Sequence, residues 1–465
     1  MKKTPYIRYT TEVERVNNNA ISVYCLLVSL FLIGAGFVGA HIMGEDIWAG
    51  FLRIMLSSSR GQPDYFALGG LGATFLNSGL CGLGCSVFIL LNRSPAKAIT
   101  MAAYFLVISH CFFGLNFLNM WPCLLGVVLY SFLRKQSVGS NLPIAMFATA
   151  LGPFVSEFLF MFPYGPRFGF LGAEVSVVGL ILSCLSSVAF GFIVPALLPG
   201  TTKMHRGYDL YKAGLAIGLF GVFMFAFSFK TFGIEPSAIE SIPNAAYDSL
   251  GRSHTIFVNV VWGGLFVLSA LLGIILCKGN FRPYLALLKK DGHQDDFCEL
   301  FGMKTCLINI GVYGIFVLFY FNLVIILTNG VGYTGNVTGY ILAALTFATC
   351  GQHPRNVYPI MLGYTALSLI VHLVSFACGA DVPWTLSTQG YLGGLTFATG
   401  LCPFSTKFGV KYGIIAGAMS AVLCSSTSAM HGGLMLYNGG FTAGLTAMLL
   451  VTILDFYKVP ERAAD

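Results

Sequence analysis

Apolar residues run in blocks of about eighteen or more along most of this chain, with short polar interruptions between them. Blocks of that length predict membrane-crossing helices rather than the core of a soluble domain. The stretches 20–42, 255–277 and 305–328 are plain examples. Reading every block in this way gives about fourteen helical segments. They lie at 20–42, 64–91, 98–114, 121–135, 142–160, 169–198, 208–229, 255–277, 305–328, 338–350, 358–378, 387–402, 411–428 and 432–455. Segments 98–114, 121–135, 338–350 and 387–402 fall short of the roughly twenty residues that a full crossing takes. The run 20–42 is too long for a signal-peptide core and is expected to be a retained helix. Polar insertions at 43–63 and 278–304 each carry a short amphipathic stretch, AGFLRIML and PYLALLKK, expected to lie along the membrane surface.

Composition supports this reading. Of 465 residues, 56% are apolar and 10% charged, where a soluble domain carries about a quarter charged. The net charge of +7 points to basic loops rather than to nucleic acid. The thirteen cysteines are scattered through apolar runs, and only Cys81 and Cys85 are one helical turn apart. No metal site, disulfide or cofactor is expected from them.

Three patterns occur twice and in the same order. FATALGPFVSEF at 147–158 returns as FATGLCPFSTKF at 397–408, with Glu157 in one copy where Lys407 stands in the other. GLNFLNMWP at 114–122 returns as GQHPRNVYP at 351–359, pairing Asn119 with Asn356 and Trp121 with Tyr358. The pattern M-H-x-G-x-x-L-Y-x-x-G begins at Met204 and again at Met430. The chain therefore divides into a tail 1–19, a first repeat 20–229, a linker 230–254, a second repeat 255–455 and a tail 456–465. Each repeat supplies seven segments, an odd number, so the second copy should enter the membrane from the opposite side. Basic residues agree. With the N-terminus in the cytoplasm, the only Lys and Arg of the 26 that fall outside are Arg53, Arg60, Arg167, Lys230 and Arg252. The fold class expected is an all-α integral membrane protein of two inverted-topology repeats, with linker 230–254 outside and both tails cytoplasmic.

Inverted repeats place substrate at interrupted helices near the bilayer midplane. Here GYILAALTFAT at 339–349 and GYLGGLTFAT at 390–399 each end in threonine and are then broken by CGQHP or GLCP. Proline frees a backbone carbonyl, and such a group survives in a membrane only where protein or a water-filled cavity satisfies it. Thr149, Thr349 and Thr399 are the candidate substrate-binding residues, with Asn119 and Asn356 as polar neighbours. His353 and Arg355 join them if their break lies deep in the membrane. If it reaches the surface, Arg355 is an ordinary cytoplasmic arginine. Glu157 and Lys407 form a gating ion pair if they lie near the axis relating the repeats, and otherwise end their helices at opposite faces. His205 and His431 open matching helices, and Asp209 is the other carboxylate that could lie within the membrane.

On these repeated motifs the chain resembles an uncharacterised bacterial family of multipass membrane proteins built from two tandem copies of one unit. The resemblance spans nearly the whole chain and implies a bacterial inner-membrane protein, but carries no substrate or residue roles. The plan is also similar to that of the uracil/xanthine permeases and sulfate transporters, although here the repeated motif falls in the fifth and twelfth segments. The function expected is a secondary transporter for a small polar or anionic solute. The alternative is a channel for a small neutral solute, similar to urea channels. No nucleotide loop, HExxH or catalytic dyad suggests an enzyme. The partners expected are a small-molecule or ion substrate and the lipid bilayer, with a homo-oligomer left open and no nucleic acid.

Overall fold

The structure is a computed structural model and describes residues 5–92, 97–239, 251–328, 332–381 and 384–462, with side chains from residue 20 onward. Lys2, Lys3, Arg93 and the linker residues 240–250 lie outside the described residues. The helices, in chain order, are α1 (Pro5–Met43), α2 (Ile47–Met55), α3 (Tyr65–Gly69), α4 (Leu71–Leu91), α5 (Ala98–His110), α6 (Met120–Leu133) and α7 (Val138–Ala148). Then come α8 (Gly152–Ser156), α9 (Val177–Met204), α10 (Lys212–Phe225), α11 (Gly251–Leu276), α12 (Arg282–Leu287), α13 (Phe297–Phe301) and α14 (Met303–Leu327). The last are α15 (Gly335–Ala344), α16 (Pro354–Cys378), α17 (Gln389–Ala398), α18 (Cys402–Lys407), α19 (Val410–Met430) and α20 (Asn438–Phe456). A short hairpin, β1 (Arg167–Phe170) with β2 (Ala173–Ser176), precedes α9.

Ten stretches among the described residues are long and apolar enough to cross a membrane. One is the α7–α8 stretch, Val138–Met161, which bends at a 3-10 turn over Thr149–Leu151. Apart from the β1–β2 hairpin, the described residues form a helical multipass membrane protein. α5 and α6 are the shorter apolar helices, and α15 and α17 are shorter still, at ten residues each. The expected segment 338–350 is instead α15 followed by turns, and the expected 358–378 starts four residues earlier. The cause is local. Gly351 takes φ +137°, which ends the turn. Pro354 then sits in the first turn of α16, where its missing N–H costs nothing. Gly114, at the same position of the first half, has φ +135°.

Beyond their amphipathic stretches, the insertions 43–63 and 278–304 reach into the bundle. After α2, residues 57–64 turn inward, and Ser57, Ser58, Ser59 and Asp64 are buried. Asp64 caps α3 through the N–H of Phe66 and also accepts the N–H of Gly335, at the start of α15, at 2.8 Å. Asp296 caps α13 through the N–H of Glu299 at 2.9 Å and also faces the N–H of Ala98, at the start of α5. The ends of α5 and α15 are reciprocal in other ways. The Phe112 carbonyl accepts from Tyr65 N at 3.4 Å, and the Thr349 carbonyl accepts from Phe297 N at 2.9 Å. The Thr349 hydroxyl donates to Ala98 O at 3.2 Å. A Cβ on Gly335 would stand 2.9 Å from Phe112 O. The two short helices therefore lie antiparallel at the centre, each N-terminus against the other's C-terminal turn. Residues 57–64 mark one end of the bundle, called the upper end, and residues 289–297 mark the lower end.

Candidate functional site

Four helix breaks meet around the α5/α15 pair. Two are the loops 111–119 and 345–353. In the first, Asn119 accepts the N–H of Asn116 at 2.8 Å and donates to Gly114 O at 3.0 Å. In the second, Asn356 accepts the N–H of His353 at 3.0 Å and donates to Gly351 O at 2.7 Å. Both sequence-predicted asparagines thus bind the backbone of their own break, and Asn119 Nδ2 also donates to Ser156 Oγ on α8 at 3.0 Å. The other two breaks are the 3-10 turns Thr149–Leu151 and Thr399–Leu401. Pro153 and Pro403 follow these turns without an N–H to give back to the helix. The Ala150 carbonyl is taken by Leu436 N, and the Gly400 carbonyl by Leu210 N, each at 3.0 Å. Leu210 and Leu436 hold one position of the third repeated motif, and Ala150 and Gly400 one position of the first. Each half closes the other's break.

The predicted threonines are fully buried at these places. Thr149 and Thr399 each donate one turn back, to Met146 O and Thr396 O, at 2.6 Å. Thr399 also accepts from Gln352 Nε2 at 2.7 Å. Gln352 stands where the first half has Leu115, so motif matching had no reason to select it. Among the described residues, no hydrogen bond joins the three threonines to one another. His353 is buried, with Nε2 on Lys290 O at 3.0 Å and Nδ1 unpartnered, while Arg355 is exposed at the lower end. Glu157 and Lys407 do not meet. Glu157 binds the backbone N–H and hydroxyl of Ser237 at 2.6 and 2.7 Å near the upper end. Lys407 pairs with Asp291 at 3.0 Å and Glu461 at 3.5 Å at the lower end.

Between the breaks lies an aromatic cluster, built largely from motif positions that were not among the candidate site residues. Tyr211 and Tyr437, equivalent in the third motif, face each other with ring centroids 6.0 Å apart. Around them the contacts repeat. Tyr211 meets Phe347 at 4.5 Å and Phe397 at 5.3 Å. Tyr437 meets His110 at 5.4 Å and Phe147 at 6.4 Å. The chemistry differs between the halves. Tyr211 donates to Ala343 O at 2.9 Å, whereas the Tyr437 hydroxyl and His110 Nε2 are buried with no partner among the described residues. His110 carried no sequence signal because its counterpart is Phe347.

A cavity of about 230 Å³ descends from the upper end to Phe397 and Leu436, with Gln62, Asn336, Tyr340, Gln389 and Asn438 in its wall. A second cavity, of about 1090 Å³, opens at the lower end among Lys289, Lys290, Asp291, His353, Arg355 and Lys407.

Below the cluster, Asp209 is fully buried. Its Oδ1 accepts the N–H of Tyr211 at 2.9 Å and its Oδ2 has no hydrogen bond. Burial pushes its carboxyl up to about 7, against the smaller pull of that N–H and of Lys212. Between about pH 4 and 7 the folded chain therefore holds a proton that the unfolded chain has released, so this residue's contribution to stability falls as pH rises through that window. Asp209→Asn removes the effect. The stability difference between wild type and D209N should drift by about 1.4 kcal/mol per pH unit inside the window and level off above it. Unfolding in detergent at a series of pH values reads this directly, and a difference that does not change with pH would contradict it.

The geometry is that of a multipass helical membrane protein whose two halves lock into each other at their helix breaks. The chain matches, over residues 16–229 and 277–456, the family described as protein of unknown function, DUF1576, and belongs to it. The two matched regions correspond to two tandem copies of one unit. No curated protein and no solved structure matches the chain.

Proposed function

We propose that the protein is a secondary transporter of the bacterial inner membrane that moves a small polar solute by alternating access between two inverted repeats. The observation that carries this reading is the exchange of backbone hydrogen bonds at the breaks, Leu436 to Ala150 and Leu210 to Gly400. Two antiparallel copies related by an axis between Tyr211 and Tyr437 account for that exchange and for the reciprocal aspartate caps. In this reading the upper end is extracytoplasmic, the lower end and both termini are cytoplasmic, and the solute sits at the crossing of the broken helices. Counterflow in proteoliposomes tests it. Solute preloaded inside should drive saturable uptake of labelled solute from outside. Fast flux that neither saturates nor shows counterflow would make the protein a channel.

Each repeat is followed by a strap, and Glu157 and Lys407 are the two residues the straps hold. After α10, Ser237 clasps Glu157 at the upper end, where Arg60 Nε also donates to Gly432 O at 2.8 Å. After α20, Glu461 binds Lys407 and the hydroxyl of Tyr208, and Arg462 N donates to Lys407 O at 2.7 Å. The opposite charges of the two copies match opposite strap chemistries at opposite faces, as a pair of gates requires. Cys424, in the wall of the upper cavity, reports on the balance between them. In a background lacking Cys184, Cys350 and Cys378, Lys407→Gln should lower the rate of Cys424 modification by a small thiosulfonate. Glu157→Gln should raise it. A bias of about 1.4 kcal/mol shifts the populations about tenfold. Equal shifts in the same direction for both variants would argue against opposed gates.

A further inference from the structure

Among the described residues, the upper cavity has no charged wall. None of its lining residues is Asp, Glu, Lys, Arg or His. Its polar groups are amides and hydroxyls, with Tyr340, Trp384 and Phe397 as flat apolar surfaces. The lower cavity, by contrast, carries Lys289, Lys290, Arg355, Lys407 and Arg462 against Asp291 and Asp295.

Two groups in the upper wall are left with hydrogen-bonding capacity to spare. Asn336 is 2% exposed, and while its Nδ2 donates to Gln62 O at 2.8 Å, its Oδ1 accepts nothing. Asn438 uses Oδ1 on His431 Nε2 at 3.1 Å, but its Nδ2 has only the Cys424 sulfur, 3.5 Å away. A thiol sulfur is a weak acceptor, so that N–H is poorly used. One side chain thus offers an idle acceptor and another an underused donor, both at the wall of the same space.

We propose that the upper cavity is the substrate seat and that it takes a small uncharged solute of the amide class, bearing both an N–H donor and a carbonyl acceptor. This rests on the transport reading and narrows its substrate. An anion entering this space would give up its water for a wall without a cation, which costs far more than moving a neutral amide. A neutral solute would give Asn336 Oδ1 a donor and Asn438 Nδ2 a carbonyl better than sulfur. At about 30 Å³ per water, the cavity holds roughly eight heavy atoms. The equivalent positions on α5 exclude a copy of this seat at the lower end. Asn336 and Tyr340 are replaced there by Ile99 and Ala103, the latter fully buried.

Protection of Cys424 tests the proposal. The full-length protein with Cys184→Ser, Cys350→Ser and Cys378→Ser is reconstituted and treated with methyl methanethiosulfonate. Acetamide, 2-pyrrolidone and uracil are the uncharged probes, and lactate, sulfate and phosphate are the anions. At least one uncharged amide should slow modification fivefold or more, and the anions should leave it unchanged. Asn336→Ala and Asn438→Ala should each remove the protection, read as the ratio of that variant's own rates with and without the probe. Protection by an anion, or by none of the uncharged probes, overturns the assignment. Protection without counterflow would remove the transport reading and leave the ligand class intact. Counterflow of an anion without protection would do the reverse.

Discussion

Gly191→Leu is expected to abolish the folded protein, and so is Gly417→Leu. α6 and α9 cross with their backbones in contact. A Cβ on Gly191 would stand 2.0 Å from the carbonyl oxygen of Gly126, and one on Gly126 would stand 1.9 Å from Ser187 O. α16 and α19 cross in the same way. A Cβ on Gly417 would lie 2.2 Å from Ile360 O, and one on Gly363 would lie 2.2 Å from Ile414 O. The obstacle in each case is backbone, so no side-chain rotation relieves it. In lipid there is little hydrophobic drive between helices, and close backbone approach by small residues supplies much of what holds them. Even alanine at Gly191 should cost about 3 kcal/mol or more by overpacking. Leucine should push the helices apart altogether. Gly34 is the control, since nothing lies within 4 Å of a Cβ built on it. Fluorescence-detected size exclusion should show a monodisperse peak for Gly34→Leu and aggregate for the other two. A folded Gly191→Leu protein would mean that the crossing can be remade.

Asn77→Ala should be the second most damaging change, and it should exceed Asn309→Ala. Asn77, buried on α4, donates to Cys111 O at 2.9 Å and Leu115 O at 3.0 Å, and accepts the N–H of Phe117 at 3.1 Å. It stitches up the break after α5. Asn309 on α14 does the same for the other break, donating to Ala348 O at 2.7 Å and Gln352 O at 2.8 Å. Its Oδ1 is unpartnered because Pro354, which has no N–H, stands in the place of Phe117. Truncating Asn77 strands three backbone groups, and truncating Asn309 strands two. At about 1–3 kcal/mol for each buried group left unsatisfied, Asn77→Ala should cost about 4 kcal/mol and Asn309→Ala about one bond less. Thermal unfolding in detergent orders the two. The opposite order would show that the breaks are held by packing instead.

How far the sequence revealed this architecture varies with the kind of contact. The three repeated motifs are the segments that interlock at the centre, so their matching order pointed at the right elements. The short helices also announced themselves, through Gly114, Gly351 and the prolines. Asp64 and Asp296 did not. Asp64 only opens the expected helical segment 64–91, Asp296 stands beside Asp295 in an insertion that read as surface, and each meets a residue more than 190 positions away in the other half. Asn77 and Asn309 were silent for a similar reason, as isolated amides among largely apolar residues in their helices. The central pair of His110 and Tyr437 was hidden by the very divergence that makes it interesting, since His110 answers to a phenylalanine. The charges of Glu157 and Lys407 were visible, but their partners, Ser237, Asp291 and Glu461, lie outside every repeated motif.

The aspartate caps carry a consequence for how such a chain could arise. Each short helix keeps a cap of its own, Thr334 accepting the N–H of Val337 in α15 and Thr100 that of Lys97 in α5, but the N–H of Gly335 goes to Asp64 and that of Ala98 faces Asp296, each from the other half. A half-length polypeptide would leave those amides bare in lipid. Two copies of one half-length polypeptide, inserted in opposite senses, would not, because each copy's aspartate would reach the other's helix. Such a pairing is isologous, one surface meeting itself across a two-fold axis. The linker between the halves would then be a late addition, joining two molecules that already depended on each other.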